Sequence, residues 1–335
     1  MVWEYLSNLS YGVITTRDPQ TSTIDYFTYS DLVETGEIVG PRIFSTGPGI
    51  FDNTNIRTLD DARRVAERYA KYYHVPNIKQ YLTGDRSARQ LLSMAAREME
   101  LIPTSEGLDM KMMITHIFDG QSLEHNFPQA PLYKDMVELT AQSGTYYDPT
   151  LIVHGGSPRS ENYFYTTMEV HDDLKLQRFV PFYELDKVTR RRRWYHKDEY
   201  KFPLYAEQAK KIVEAGGRVC VGGHGQLQGL GYHWEIWSIH SGGMSEMDVL
   251  RCATIFGAEA IGFSSDLGSI KEGKLADLVI LNSNPLDNIR NTTDIRVVVK
   301  NGLLYDAETL DILWPYEKKL PPLYWSDRDP VPDKK

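Results

Sequence analysis

Apolar positions along the chain recur with two spacings that take turns. "VWEYLSNLSY" carries the three-to-four-residue spacing of a helix, and "GVITTRDP" follows as a β-rich run that Pro19 stops. The pattern then repeats. "PRIFSTGPG" (41–49) predicts a short strand breaking into glycines, and "LDDARRVAERYAKYY" (59–73) a helix with its charges on one side. "VPNIKQYL" (75–82), "LIPTSEG" (101–107) and "QSLEHNF" read as strands separated by helical segments at 87–100 and 108–120, the second with Gly120 past its end. After the helix "LYKDMVELTAQSG", the run "TYYDPTLIV" predicts a strand ending at His154. A long aromatic and charged excursion (155–200) leads to the helix "PLYAEQAKKIVEAGG" and the strand "RVCVGG". Strands alternating with helices in this way predict parallel βαβ units covered on both faces.

No Gly-rich dinucleotide loop follows the first strand, so an open doubly wound sheet fits less well than a barrel. The fold class expected is α/β, a TIM-like (β/α)8 barrel lacking its first strand. Beyond residue 243 the texture changes. "MSEMDVLRCATIFGAEAIGF" predicts a helix that Ser245 caps with Asp248 reaching back, and "LGSIKEGKLADLVILNSNP" predicts strand, turn, strand. Asn301-Gly302 between two apolar runs is a two-residue hairpin signal. The organisation expected is an incomplete barrel over 1–265, a small C-terminal β-sandwich remnant over 266–312, and an extended Pro-rich tail over 313–335.

Composition narrows the class. A length of 335 residues with 41% apolar content supports a substantial core, and a net charge of -9 disfavours nucleic acid as a partner. The one basic cluster, "TRRRRWYHK" (189–197), is expected to be a solvated helix face. Cys220 and Cys252 give no disulfide framework, and Cys220 inside "RVCV" is expected in the core. No apolar run is long enough to span a membrane and no signal peptide is visible, so the compartment is not readable.

In a parallel barrel the chemistry sits at the C-terminal ends of the strands. Lys79, Thr104, Ser105, Glu106, Glu124, His125, His154 and His224 fall at such ends. Three histidines and two carboxylates on one rim suit a divalent metal, which takes imidazole nitrogen and carboxylate oxygen. Taken singly, a strand-end histidine is more often a hydrogen-bonded turn residue. A lysine in an apolar strand is odder, because an unpaired buried ammonium is costly.

These residues also carry a family resemblance. "GAEAIGFSSDLGSIKEGKLADLVILNSNPLDNI" with "VVVKNG" resembles the closing segment of the amidohydrolase superfamily. "PNIKQY", "DGQSLEH" and "YDPTL" resemble the fourth, sixth and seventh barrel strands of its imidazolonepropionase and prolidase-like branch, of the kind fused to a TolB-like propeller. The resemblance implies that Lys79 stands where a carboxylated lysine bridges metals, His125 at the sixth-strand ligand, and Glu106 or Thr104 near the fifth-strand ligand, with spacing favouring Glu106. His224 falls where the family has an aspartate that touches the metal and takes a proton from bound water. A neutral imidazole can serve either as ligand or as base. His116 and His154 are expected to be structural and loop residues.

The family's first strand ends in His-x-His, and no His-x-His occurs here. The resemblance therefore implies a chain truncated at its N-terminus, with open barrel edges that predict instability, homo-oligomer pairing or an upstream propeller domain. The function implied is metal-dependent hydrolysis of an amide, cyclic amide or prolyl-type C–N bond in a small-molecule or peptide-like substrate. Zinc is the expected cofactor, with Lys79, Glu106, His125 and His224 as ligands and His224 as the catalytic residue. The competing expectation is a non-catalytic homologue or incomplete fragment that keeps the scaffold without the full metal centre. The segment "SENYFYTTMEVHDD" is expected either to cover the substrate or to be a surface loop packed by its own aromatics.

Overall fold

A computed structural model describes residues 2–20, 24–156 and 158–326. Among the described residues, eight parallel strands form the barrel wall, in two hydrogen-bonded groups. The first pairs β1 (Thr15–Asp18) with β2 (Arg42–Ser45). The second runs in sequence order through β3 (Ile50–Phe51), β4 (Asn77–Leu82), β5 (Ile102–Glu106), β6 (Ser122–Glu124), β7 (Tyr146–Asp148) and β8 (Arg218–Val219). This is the expected α/β, TIM-like architecture, and among the described residues no strand lies beyond the outer edges of β1 and β8.

The helices form where their ends are satisfied. Thr58 Oγ1 accepts from the Asp61 amide at 3.2 Å while the Asp61 carboxylate accepts from the Thr58 amide at 2.8 Å, a reciprocal cap for helix Leu59–Glu67. Asp85 and Asp109 cap helices Arg86–Glu98 and Met110–Phe118, and Ser245 caps Glu246–Arg251 through the Asp248 amide as its sequence predicts. Helices Leu59–Glu67 and Arg86–Glu98 bury Ala62, Ala66, Leu92, Ala95 and Ala96 together on Ile78 of β4. Small residues at these positions let the two helices lie close to the sheet.

Three expectations need correction. The run "TYYDPTLIV" is not one strand: β7 stops at Asp148, because Pro149 has no amide to give and Thr150 turns left-handed at φ 42°. The excursion 155–200 is largely helical, with helices Ser160–Thr167, Leu174–Phe179 and Phe182–Thr189. Phe164, expected on a loop, is buried and stacks on Trp234 with ring centres 5.3 Å apart. The basic run is not a helix face either, since the helix ends at Thr189 and the arginines lie on the turn after it, where Arg192 donates to the Tyr165 carbonyl.

Helix Leu230–His240 is absent from the sequence reading for a physical reason: it is buried around nearly its whole circumference, with His233, Glu235 and Ser238 inside as well as its apolar residues, so no amphipathic period marks it. The C-terminal region is a single antiparallel sheet in the order β12 (Ile312–Trp314), β11 (Leu303–Asp306), β10 (Ile295–Lys300), β9 (Leu278–Leu281). The hairpin at Asn301-Gly302 forms with both residues at positive φ, whereas the first strand expected in "LGSIKEGK" is a turn. Val298, Tyr305 and Leu310 pack on Leu6 and Leu9 of helix Trp3–Ser10. The tail joins this core through buried Leu323 and Trp325, whose indole nitrogen donates to the Arg178 carbonyl at 3.1 Å. Only residues 327–335 of the expected tail lie outside the described residues.

The turn after β7 depends on one carboxylate. Glu235, fully buried on helix Leu230–His240, accepts from the Leu151 and Ile152 amides at 2.8 and 2.7 Å. Burial pushes its carboxyl up to about 8, against those two hydrogen bonds. A raised carboxyl binds its proton more tightly in the folded chain than in the unfolded one, so it makes stability fall as pH rises from the unfolded value near 4.5 to about 8. In urea unfolding, the stability of the parent chain relative to Glu235→Gln should fall between pH 5 and pH 8 and then level. A difference that stays level over this range would show that the folded state holds Glu235 ionised.

Candidate metal centre at the barrel mouth

Strand register sets the site. Lys79 lies opposite Thr104, and Glu106, Glu124 and Asp148 stand level on β5, β6 and β7. Three carboxylates on adjacent strands repel unless cations intervene. Two do. The Lys79 ammonium, 2% exposed, pairs closely with Glu124 and reaches Glu106 at 3.4 Å, and Arg17 from β1 donates to the other Glu124 oxygen at 2.8 Å. Thr104 Oγ1 donates to that same oxygen at 2.9 Å. Burial alone would raise the Glu124 carboxyl, but the charges of Lys79 and Arg17 outweigh it and hold it below its ordinary value.

Burial likewise works against Glu106, yet the hydrogen bond from His125 and the charge of Lys79 hold its carboxyl down at about 2. His125 Nε2 lies 3.2 Å from Glu106, and its Nδ1 lies 2.6 Å from Thr150 Oγ1. Asp148, without a direct cation, behaves differently: burial and the neighbouring Glu124 push it up to about 6. Its carboxylate fits because residue 222 is glycine, where a Cβ would stand 2.2 Å from Asp148 Oδ2.

Two more imidazoles face His125. The His154 ring centre is 4.2 Å away and that of His224 is 5.4 Å away. Burial, with His125 and His224 alongside, lowers His154 to about 4, and burial also lowers His224, so both are neutral at pH 7. His224 Nδ1 sits 3.2 Å from Gln226 Oε1, whose amide nitrogen in turn donates to Glu161. Nδ1 therefore carries the proton, and Nε2 presents a lone pair. His125 and His224 both adopt left-handed backbone conformations, at φ 71° and 53°. For residues with a Cβ such strain costs on the order of 1–3 kcal/mol and concentrates where side chains are aimed for function.

The four residues expected as ligands thus gather at one end of the barrel. Lys79, Glu106 and His125 form a hydrogen-bonded row, and His224 stands beside it. Lys79 faces two carboxylates as an ammonium, which has protons to give and no lone pair. Among the described residues no three His, Cys, Asp or Glu side chains converge as a metal site. The donor chemistry nevertheless fits one divalent ion at the rim: two neutral imidazoles and an ionised Glu106 are the protonation states a zinc ion needs. It does not fit a second ion deeper in, where Lys79 and Arg17 already satisfy Glu124.

Sequence reasoning passed over two members and set a third, His154, aside after counting it on the rim. His154, expected as a loop residue, belongs to the imidazole group, because the turn after Asp148 brings it back over the barrel mouth. Asp148 and Arg17 also stand at or near strand ends, and a census of every charged strand-end residue would have found both. His116 is structural as expected: it is buried against Ser105 Oγ at 3.2 Å, and burial lowers it to about 4. A cleft of about 1040 Å³ opens over the site, lined by Glu106, His125, His154 and His224 and, farther along the chain, by Arg159 and Arg191–Arg193. No helix is long and apolar enough to cross a membrane among the described residues.

Solved structures with this architecture include a Xaa-Pro dipeptidase with bound methionine (22% identity, TM-score 0.66, covering 90% of this chain and 77% of that one). Molinate hydrolase is similar at 16% identity and a TM-score of 0.68 (91% and 74% covered), and A. niger ochratoxinase at 17% and 0.65 (90% and 74%). These likenesses establish the fold. No curated protein matches the sequence. Residues 120–304, more than half of the chain, match the Amidohydrolase family, from the strand just before His125 to the C-terminal hairpin, and the chain belongs to that family.

Proposed function

We propose that this chain is a metal-dependent hydrolase of C–N bonds in small or peptide-like substrates, with a single zinc-type ion at the barrel rim. The observation that supports this reading is that the His154 and His224 rings face His125, which bonds the ionised Glu106, at the barrel mouth beneath an open cleft. His125, His154, His224 and Glu106 would hold the ion. When bound, such an ion lowers the pKa of water to about 7 and polarises a carbonyl.

The chain's own residues do the rest. Gln226 fixes the His224 tautomer so that Nε2 can accept a proton from the attacking water or serve as a ligand. Thr150 orients the His125 ring through Nδ1, and Lys79 holds Glu106 ionised. Family membership supports hydrolysis of amide-type bonds. The prolidase-like and hydrolase structures above support prolyl and other acyl–nitrogen bonds as the first substrates to try.

A specific observation favours the competing reading of a non-catalytic scaffold. Lys79 and Arg17 against Glu106 and Glu124 balance the interior charge with no metal present. Metal analysis of the purified chain separates the two. The catalytic reading expects about one equivalent of zinc or manganese, loss of that metal in His125→Ala, and hydrolysis of N-acyl amino acids or Xaa-Pro peptides abolished by chelation. A folded chain that takes up no metal and hydrolyses none of these overturns it.

Two further outcomes follow from the geometry. His224→Ala should lower kcat by about 10² or more. Metal content unchanged in that variant identifies His224 as the base, and metal content reduced identifies it as a ligand. Glu124→Gln leaves a buried ammonium and guanidinium short of a counter-charge, and should destabilise the fold by about 3–5 kcal/mol in urea unfolding. A loss below about 1 kcal/mol would show that the buried cluster is not held as drawn.

A further inference from the structure

From the charges along the cleft we infer that it selects a substrate with at least two carboxylates, an acidic peptide or N-acylated acidic amino acid, whose anionic groups Arg191 and Arg193 receive. This rests on reading the cleft as the substrate site of the hydrolase proposed above.

The charges lining the cleft do not cancel. Glu106 is matched by Lys79 and His125. Glu161 is matched by Arg159 at 3.4 Å and by the Gln226 amide at 3.1 Å. Arg192 is spent on the Tyr165 and Thr189 carbonyls and on Glu169 at 3.3 Å. Arg191 and Arg193 remain, both exposed, both on the cleft wall, and neither bonded to any described residue.

These two guanidiniums line one cleft in a chain whose net charge is -9. Held within the same cleft as the imidazoles, they make a local positive field that concentrates anions against the overall charge. Guanidinium pairs carboxylate through two parallel hydrogen bonds, so it orients the anion as well as attracting it. The anchoring of Arg192 to Tyr165 fixes the turn that carries both neighbours, which reduces the ordering cost of binding. At about 1040 Å³ the cleft exceeds what a single amino acid fills and suits a short peptide, while Tyr165, Tyr195 and Tyr205 supply apolar walls.

The experiment compares acetyl-Asp-Glu-amide with acetyl-Asn-Gln-amide, matched in shape and differing only in charge, by calorimetric titration of the full chain, with mass spectrometry to verify intact peptide. The acidic peptide should bind at least about tenfold more tightly at low salt, an advantage that shrinks as salt rises. In Arg191→Gln/Arg193→Gln the two peptides should bind within about threefold of each other. Arg190→Gln, which removes one positive charge from an arginine paired with Asp186, should keep the preference. Equal binding to the parent chain, no binding of either peptide, or a preference that survives the double substitution would overturn the inference. Metal uptake and hydrolysis of neutral substrates would still stand in those cases. Acidic-peptide binding without metal or hydrolysis would instead overturn the proposed function and leave the binding site.

Discussion

A buried ammonium fixes this barrel. Lys79 is enclosed by the strands, and an ammonium with no counter-charge in that place would cost several kcal/mol. Its partners are dictated by register, since Glu106 and Glu124 stand level on the next two strands, and Arg17 completes the group from β1. One cluster of charges thus ties β1, β4, β5 and β6 together across the barrel interior. Apolar packing could hold the same strands with less electrostatic cost. What the charges add is direction: Lys79 splits between two carboxylates, Glu106 is left ionised with an oxygen toward His125, and Thr150 closes the other side of that ring.

From that row outward, each position follows from a local demand. The β7 strand ends at Asp148 because proline comes next, and the freed amides of Leu151 and Ile152 must find acceptors. Glu235 provides both, from a helix buried on nearly all sides. This return of the chain brings His154 over the barrel mouth. On the far side, Gly222 leaves room for the Asp148 carboxylate, and the left-handed turn at His224 aims its ring at His125. The site is therefore assembled from turns whose geometry is enforced by the strands beneath them.

The fold was largely legible because strand and helix periods alternate cleanly up to residue 225, and the caps at Ser245 and the hairpin at Asn301-Gly302 are local signals that tertiary contacts had no reason to override. Lys79, Glu106, His125 and His224 were legible as strand-end residues. Helix Leu230–His240 was not, because burial on all sides erases the periodicity that marks a helix. The strand drawn up to His154 and the helix drawn through the arginines were misread for a related reason: both lie in segments whose course is set by distant acceptors, Glu235 in one case and the Tyr165 carbonyl in the other. A local pattern carries no record of such partners.

The same buried cluster bears on how a metal could sit here. Carboxylation of Lys79 would replace a cation by an anion on a side chain in contact with Glu124 and Glu106. Three negative groups would then share the space, with Asp148 a fourth at the edge and Arg17 the sole remaining cation of the group. Only bound divalent ions could offset that charge. An ammonium at Lys79 and a two-ion centre are therefore mutually exclusive states of one interior. The ammonium state, with Glu124 paired on both oxygens, leaves Glu106 and the imidazoles as the donors still facing the cleft, so a single ion finds its donors at the rim and not in the depth of the barrel.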